Sequence, residues 1–495
     1  MYIWNYLKKT SIYNRIIRSE KAKELVKNSF WSLLGAVLSK GLLFISWVIV
    51  ARILGSDGYG QFGIIRSTVL MFITFAGFSL GVTASKHVAE FLQIDKPRIG
   101  RILGLTISFA LLMGIILGII FYLLAPWLAT NTLNAPEIIP ELRIGALILV
   151  FSSLNGAQLG ALQGLMAFKK IAKINVIQAL LSFPFFIFGA LYWGVNGTVW
   201  AFAVSTGIIC VLSHVTIKKL IQEHEIIIDY SDAWREKSLL FKYSLPAFLG
   251  GIAVTPIKWI TDSLLVQKSG FTEMGLFTAS LTLNSIILVG ASMISAPFIS
   301  IMAKNKDEKN NSALARINII APWALGIILS LPFVVFSAYY IIIFGETYSG
   351  DIFEKTFTII LLFTIVLMFQ QGLNRIIIVY DLQWIGFFSN IIWGVTLISS
   401  FLLFKTQDSL ALAISYLIAY IVNTTFVLPI FFKKKLVPKS TIISLESLGI
   451  WFLLIIISFS GLLLKSIFMR VVMLVVSMLI FGLFFSRMFK EKIKN

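Results

Sequence analysis

Apolar runs of about twenty residues, joined by short polar stretches, constrain this chain more than any other feature. Such runs fall at 29–52, 61–84, 100–124, 139–163, 171–192 and 197–217, then at 243–266, 274–301, 317–343, 355–379, 384–404 and 410–431, and finally at 446–464 and 469–486. About 20 apolar residues in a helix cross a hydrocarbon core of about 30 Å. In lipid every backbone polar group must be satisfied internally, which leaves helices as the fold for spans of this length. The pattern therefore predicts an all-α polytopic membrane protein of about fourteen transmembrane helices. Composition agrees: 58% of residues are hydrophobic and 13% charged, with a mean hydropathy of +0.90, whereas soluble proteins carry about 25% charged residues.

The net charge of +19 does not indicate nucleic acid, because the basic residues form no patch on a soluble domain. They cluster instead in alternate short joints, as at Lys96, Arg98 and Arg101, at Lys169, Lys170 and Lys173, and at Lys433, Lys434 and Lys435. With the amino terminus inside, about 32 of the 42 basic residues fall on one side and about six on the other. This asymmetry predicts a cytoplasmic membrane protein with both termini in the cytoplasm. Residues 1–28 read as a cytoplasmic amphipathic arm on the inner leaflet. The single cysteine, Cys210, sits in an apolar run and offers neither a disulfide framework nor a thiolate metal site.

The chain repeats itself. At an offset of 215 residues Lys27 meets Lys242, Ser29 meets Ser244, Gly35 meets Gly250, Gly55 meets Gly270, Gly60 meets Gly275 and Phe62 meets Phe277, without a gap. Internal repeats of this kind are common in transporters. They predict two pseudo-symmetric six-helix lobes, an N-lobe at 29–217 and a C-lobe at 239–432, around a cytoplasmic inter-lobe loop at 218–238, with a C-terminal pair of helices and a basic tail at 433–495. The stretch Leu54–Gly60 reads as a tight turn between the first two spans. The prolines and glycines within the spans either reflect ordinary transmembrane composition or mark bends for a change of shape, for which Pro246 and Pro256, flanking Gly250 and Gly251, are the best placed.

Charge inside the spans marks the candidate site, since a mid-membrane cation costs about 2.5–3.5 kcal/mol on insertion scales. Lys40 lies about 17 Å from the inner end of its span and Arg66 about 9 Å from the outer end of the next, so both are expected to face a polar cavity. Arg143 either snorkels outward from near a span end or joins them as a cavity contact for substrate. Lys258 and Asp262 share a helical face by their spacing. They either neutralise each other or part during transport, releasing Lys258 to an anionic ligand and Asp262 to a coupling H⁺ or Na⁺. Gln158 on the fourth span and Gln370, Asn374 and Arg375 on the tenth are polar candidates that either bridge helices or face a sugar or phosphate. The three histidines His87, His214 and His224 pair with no nucleophile and show no metal-ligand spacing. No enzymatic chemistry, cofactor or metal is expected.

The opening KNSFWSLLGAVLSKGLLFISWVIVARILGSDGYGQFG, with Arg52, Leu54, Gly55, Tyr59 and Gly60 after the first span, resembles the polysaccharide export flippases, the Wzx type of the multidrug/oligosaccharidyl-lipid/polysaccharide exporter superfamily. The resemblance, extending over about residues 27–432, implies two lobes around a V-shaped cavity open alternately to either side of the bacterial cytoplasmic membrane. It also implies a substrate of undecaprenyl-diphosphate-linked oligosaccharide, an O-antigen or capsule repeat unit, bound by Lys40, Arg66 and Lys258. Membrane lipids, a polysaccharide polymerase and a chain-length regulator are the partners such a transporter would meet. The final two spans resemble those of the fourteen-span lipid II flippases. A lipid II-type flippase, a cation-coupled multidrug exporter of the same fold and a membrane glycan polymerase or ligase are the alternatives. The last is disfavoured by the lack of a long loop for a catalytic acid or base.

Overall fold

The computed structural model describes residues 20–245, 248, 254–304, 312–380 and 382–490. Most of the expected arm and the candidate bends Pro246, Gly250 and Gly251 lie outside the described residues. The long helices are α1 (Glu20–Gly77), α2 (Leu80–Phe91), α3 (Lys96–Trp127), α4 (Ile139–Gly164), α5 (Phe168–Glu223), α6 (Val254–Lys304), α7 (Ser312–Val335), α8 (Asp351–Val379), α9 (Gln383–Leu403), α10 (Ser409–Lys433), α11 (Leu445–Leu463) and α12 (Ile467–Lys490). Among the described residues there is no strand, and ten helices are long and apolar enough to cross a membrane. Three of those ten, α1, α5 and α6, are pairs of spans joined at a glycine kink, at Gly55, Gly194 and Gly270. Helix α4, whose Arg143, Asn155, Gln158 and Gln163 dilute its apolar residues, completes the fourteen. The protein is a multi-pass membrane protein.

The kinks correct one expectation. Residues 54–60 form no surface turn: the helix continues and changes direction at Gly55 alone, with φ 68° and ψ 179°. That conformation is open to glycine and strained for residues with a Cβ. Its repeat partner Gly270 takes the same one, φ 80° and ψ −176°, so the 215-residue echo reappears as matching backbone. A second correction concerns the span at 61–84, which breaks where Phe78 and Ser79 adopt φ of 41° and 52°. Phe78 stacks there against Phe109 and Phe248, which helps hold the strained backbone in place.

The two lobes meet through α1 and α6, next to the kinks. A Cβ added to Gly60 would lie 1.8 Å from the carbonyl oxygen of Phe271, and one added to Gly275 would lie 1.8 Å from that of Ser56. Gly63 abuts the Thr278 side chain in the same way. Tyr348, fully buried, crosses from the segment between α7 and α8 and donates to the carbonyls of Gly55 (3.0 Å) and Ala51 (3.2 Å). At the opposite end the inter-lobe segment is not a free polar loop. Its backbone runs over Gly100 and Gly104 of α3, Asp229 N donates to Gly100 O, and Glu236 bridges Arg98 and Arg101. Ile226 and Leu239 are buried with Ile99, Leu103, Leu162 and Leu220 of α3 to α5, and Leu240 with Leu80, Leu105 and Ala110. Ser244 shares a 2.7 Å hydrogen bond with Thr83 of α2.

Helices α11 and α12 dock on the second lobe. Trp451 stacks on the buried Trp323 at 5.0 Å between centroids. Arg470, also buried, donates to Val335 O (2.6 Å) and Leu464 O (2.9 Å), supplying carbonyls that the ends of α7 and α11 leave without helical partners.

Cationic residues at the lobe junction

The inter-lobe contacts of α1 and α6 end in a polar layer. Trp259 Nε1 donates to Thr68 Oγ1 (3.0 Å), and Ser67 Oγ donates to Asp262 Oδ2 (2.5 Å). Nearer the kinks, the Tyr59 hydroxyl and Thr282 Oγ1 share a 3.3 Å hydrogen bond. This layer forms the roof of the lobe junction. Counted along the helices from Gly55 or Gly270 at 1.5 Å per residue, Arg66, Lys258 and Lys40 lie about 16, 18 and 22 Å from the kinks, against about 12 Å for Asp262. The three cations therefore lie at the roof or just beyond it.

Each cation is held differently. The Arg66 guanidinium sits over the Trp47 ring, 5.2 Å from its centroid, and Trp47 is backed by Phe62 and Phe186. A cation–π contact of this kind contributes about 0.5–2 kcal/mol. Lys40 is close enough to Arg66 for the two positive charges to repel. Lys258 is exposed on the α6 face that carries Asp262. None of the three has a carboxylate oxygen within 4.0 Å among the described residues.

The expected neutralisation of Lys258 by Asp262 is accordingly not made as a direct ion pair. Asp262 is 8% exposed and takes its short hydrogen bond from Ser67 on the other lobe, while no Lys258 nitrogen lies within 4.0 Å of its carboxylate. The i, i+4 spacing brings the two to one face, but a hydroxyl from the facing helix reaches the carboxylate first.

The remaining candidates are placed elsewhere. Arg143 is exposed and lies over the Tyr122 ring of α3 at 5.0 Å. Gln158 is buried beside Asn155, which donates to Ser213 of α5 (3.2 Å). Gln370 donates to Tyr420 O and Thr424 Oγ1 of α10, at 2.9 and 2.7 Å. Arg375 is buried, with Nε on Asn318 Oδ1 (2.6 Å) and Nη2 on Asn318 O (2.9 Å) of α7. These polar groups tie helices within a lobe. Asn374, beside Arg375, is exposed. Sequence reasoning passed over Ser67, Thr68, Trp259 and Tyr348, since isolated hydroxyls and aromatics in apolar spans are common. The repeat offered the one usable signal, because Ser67 and Thr282, 215 residues apart, both bond across the lobes.

Comparison with known proteins places this architecture. The chain is 17% identical to the lipid II flippase MurJ in an inward closed conformation, with a TM-score of 0.67 over 93% of this chain and 99% of that one. It is 14% identical to a multidrug resistance MATE family transporter of the MOP superfamily in an inward-facing conformation, with a TM-score of 0.66 over 82% and 98%. A MOP superfamily transporter from Pyrococcus furiosus, whose binding pocket is described as reversed in polarity, is 15% identical with a TM-score of 0.59 over 85% and 98%. In sequence, an uncharacterized membrane protein of Methanocaldococcus jannaschii is 23% identical over 300 residues, covering 57% of this chain and 69% of that protein. The model of the polysaccharide biosynthesis protein family matches residues 25–302. With that match over more than half its length, and with the fold of the MOP superfamily, the chain belongs to the polysaccharide biosynthesis protein family.

Proposed function

We propose that this protein is a flippase that carries a prenyl-diphosphate-linked oligosaccharide, of the undecaprenyl type, from the inner to the outer leaflet by alternating access. The observation that supports this most strongly is the convergence of Lys40, Arg66 and Lys258 at the lobe junction without a carboxylate in ion-pair range. Uncompensated positive charge inside a membrane is costly, and a ligand carrying concentrated negative charge offsets that cost. A diphosphate does so, while its sugars stay in a hydrated cavity between the lobes and its prenyl tail stays in lipid. On this reading the basic joints face the cytoplasm and the Gly60 and Gly275 contacts lie toward the outer side.

A charge-reversal series at Lys40, Arg66 and Lys258 tests the reading. Glycan export should be lost in each variant while folded protein remains in the membrane, and prenyl-diphosphate-linked intermediates should accumulate, as measured by mass spectrometry. Normal export from all three variants would overturn it.

A further inference from the structure

Asp262 is the one carboxylate among the described residues in the middle of a span at the lobe junction; it shares a helical face with Lys258 and bonds the residue that follows Arg66, without forming an ion pair with either cation. A carboxylate that only balanced charge would be expected against Lys258, four residues away on its own helix. Instead its oxygen is drawn across the lobe boundary to Ser67, the residue that follows Arg66. Its negative charge is thereby fixed close to the place where an anionic ligand would be held, and it is sheltered from solvent.

Resting on the flippase reading, we propose that Asp262 is a resident counter-anion that limits how tightly the lobe junction holds its ligand, and so governs ligand release. Fixed at the roof, the carboxylate lowers the positive potential that any anion meets at Arg66 and Lys258. In the low-dielectric interior that reduction is large, and it weighs more heavily on a prenyl diphosphate than on a prenyl monophosphate, which carries about −1.5 to −2 near pH 7. A carrier must bind its cargo well enough to load it and weakly enough to let it go. Three bare cations facing a diphosphate satisfy the first condition, and Asp262 supplies the second.

The test uses the full chain in nanodiscs, with undecaprenyl diphosphate and undecaprenyl phosphate as probes, and compares wild type with Asp262→Asn and Ser67→Ala. Asp262→Asn should bind the diphosphate at least fivefold more tightly, gain less for the monophosphate and export more slowly. Ser67→Ala keeps the negative charge and should not tighten binding. Should Asp262→Asn fold poorly, Asp262→Ser is measured in the same way. A removed carboxylate that leaves diphosphate affinity unchanged or weaker overturns the proposal, since a purely structural aspartate gives no gain in affinity on removal. Wild-type protein that binds neither lipid would instead overturn the flippase reading on which the proposal rests.

Discussion

Gly60 and Gly275 face each other's lobes in equivalent settings: each has room for nothing larger than hydrogen before it meets a carbonyl oxygen, of Phe271 in one case and of Ser56 in the other. Those two carbonyl residues are, like the glycines, 215 positions apart. The contact is a self-complementary one between two copies of one ancestral unit, like the isologous interface of a two-fold dimer but formed within a single chain.

Alanine at either glycine should loosen this junction. The opposing atoms are backbone and cannot swing aside, so the closed arrangement should lose about 1–3 kcal/mol. Thiol labelling of a cysteine at Ser56, which is buried in this junction, should become severalfold faster when Gly60→Ala is added.

Tyr348→Phe should cost about 1–3 kcal/mol, because the Gly55 carbonyl, at the kink, loses its 3.0 Å hydrogen bond and stays buried. Thermal unfolding in detergent reads the loss. The same variant should favour the state in which the kink side is open, giving faster labelling of a cysteine placed at Ser56.

Arg375→Ala should behave as a stability variant. Removing the two hydrogen bonds to Asn318 should cost about 2–3 kcal/mol and lower the amount of folded protein. Export per folded molecule should stay near the wild-type level, unlike that of Arg66→Ala, which should export poorly at normal abundance.

Arg470→Ala should free the C-terminal pair. Loss of its bonds to Val335 and Leu464 costs about 2 kcal/mol and should make the connection between α11 and α12 sensitive to protease. Because Trp451 stacks on Trp323, tryptophan emission should shift as well.

Much of this architecture is legible in the sequence because it depends on periods and lengths. The apolar runs specify spans, the 215-residue echo pairs Gly55 with Gly270, and the last two runs fall outside the repeat and become α11 and α12. Lys40, Arg66 and Lys258 stand out because charge in a span is rare. Partner choice is harder to read. Asp262 has Lys258 four residues away and Ser67 195 residues away, and the distant hydroxyl takes it; spacing along one helix says nothing about what the facing helix presents. Gln370 and Arg375 show the same limit, since an amide or guanidinium bridging helices within a lobe has the same local sequence as one facing a ligand.

The segment between the lobes has a consequence for how such proteins can be recombined. Asp229 and Glu236 fasten it to α3, and Ser244 reaches α2, so as a structural unit the first lobe extends to Ser244 rather than ending with its sixth span. A chimera between two relatives joined at the midpoint of the apparent linker, near Tyr230, would pair one parent's Glu236 and Leu240 with the other's α3 and α2. A crossover placed after Ser244 keeps each parent's buried pairs together, and that is where half of one transporter should graft onto half of another.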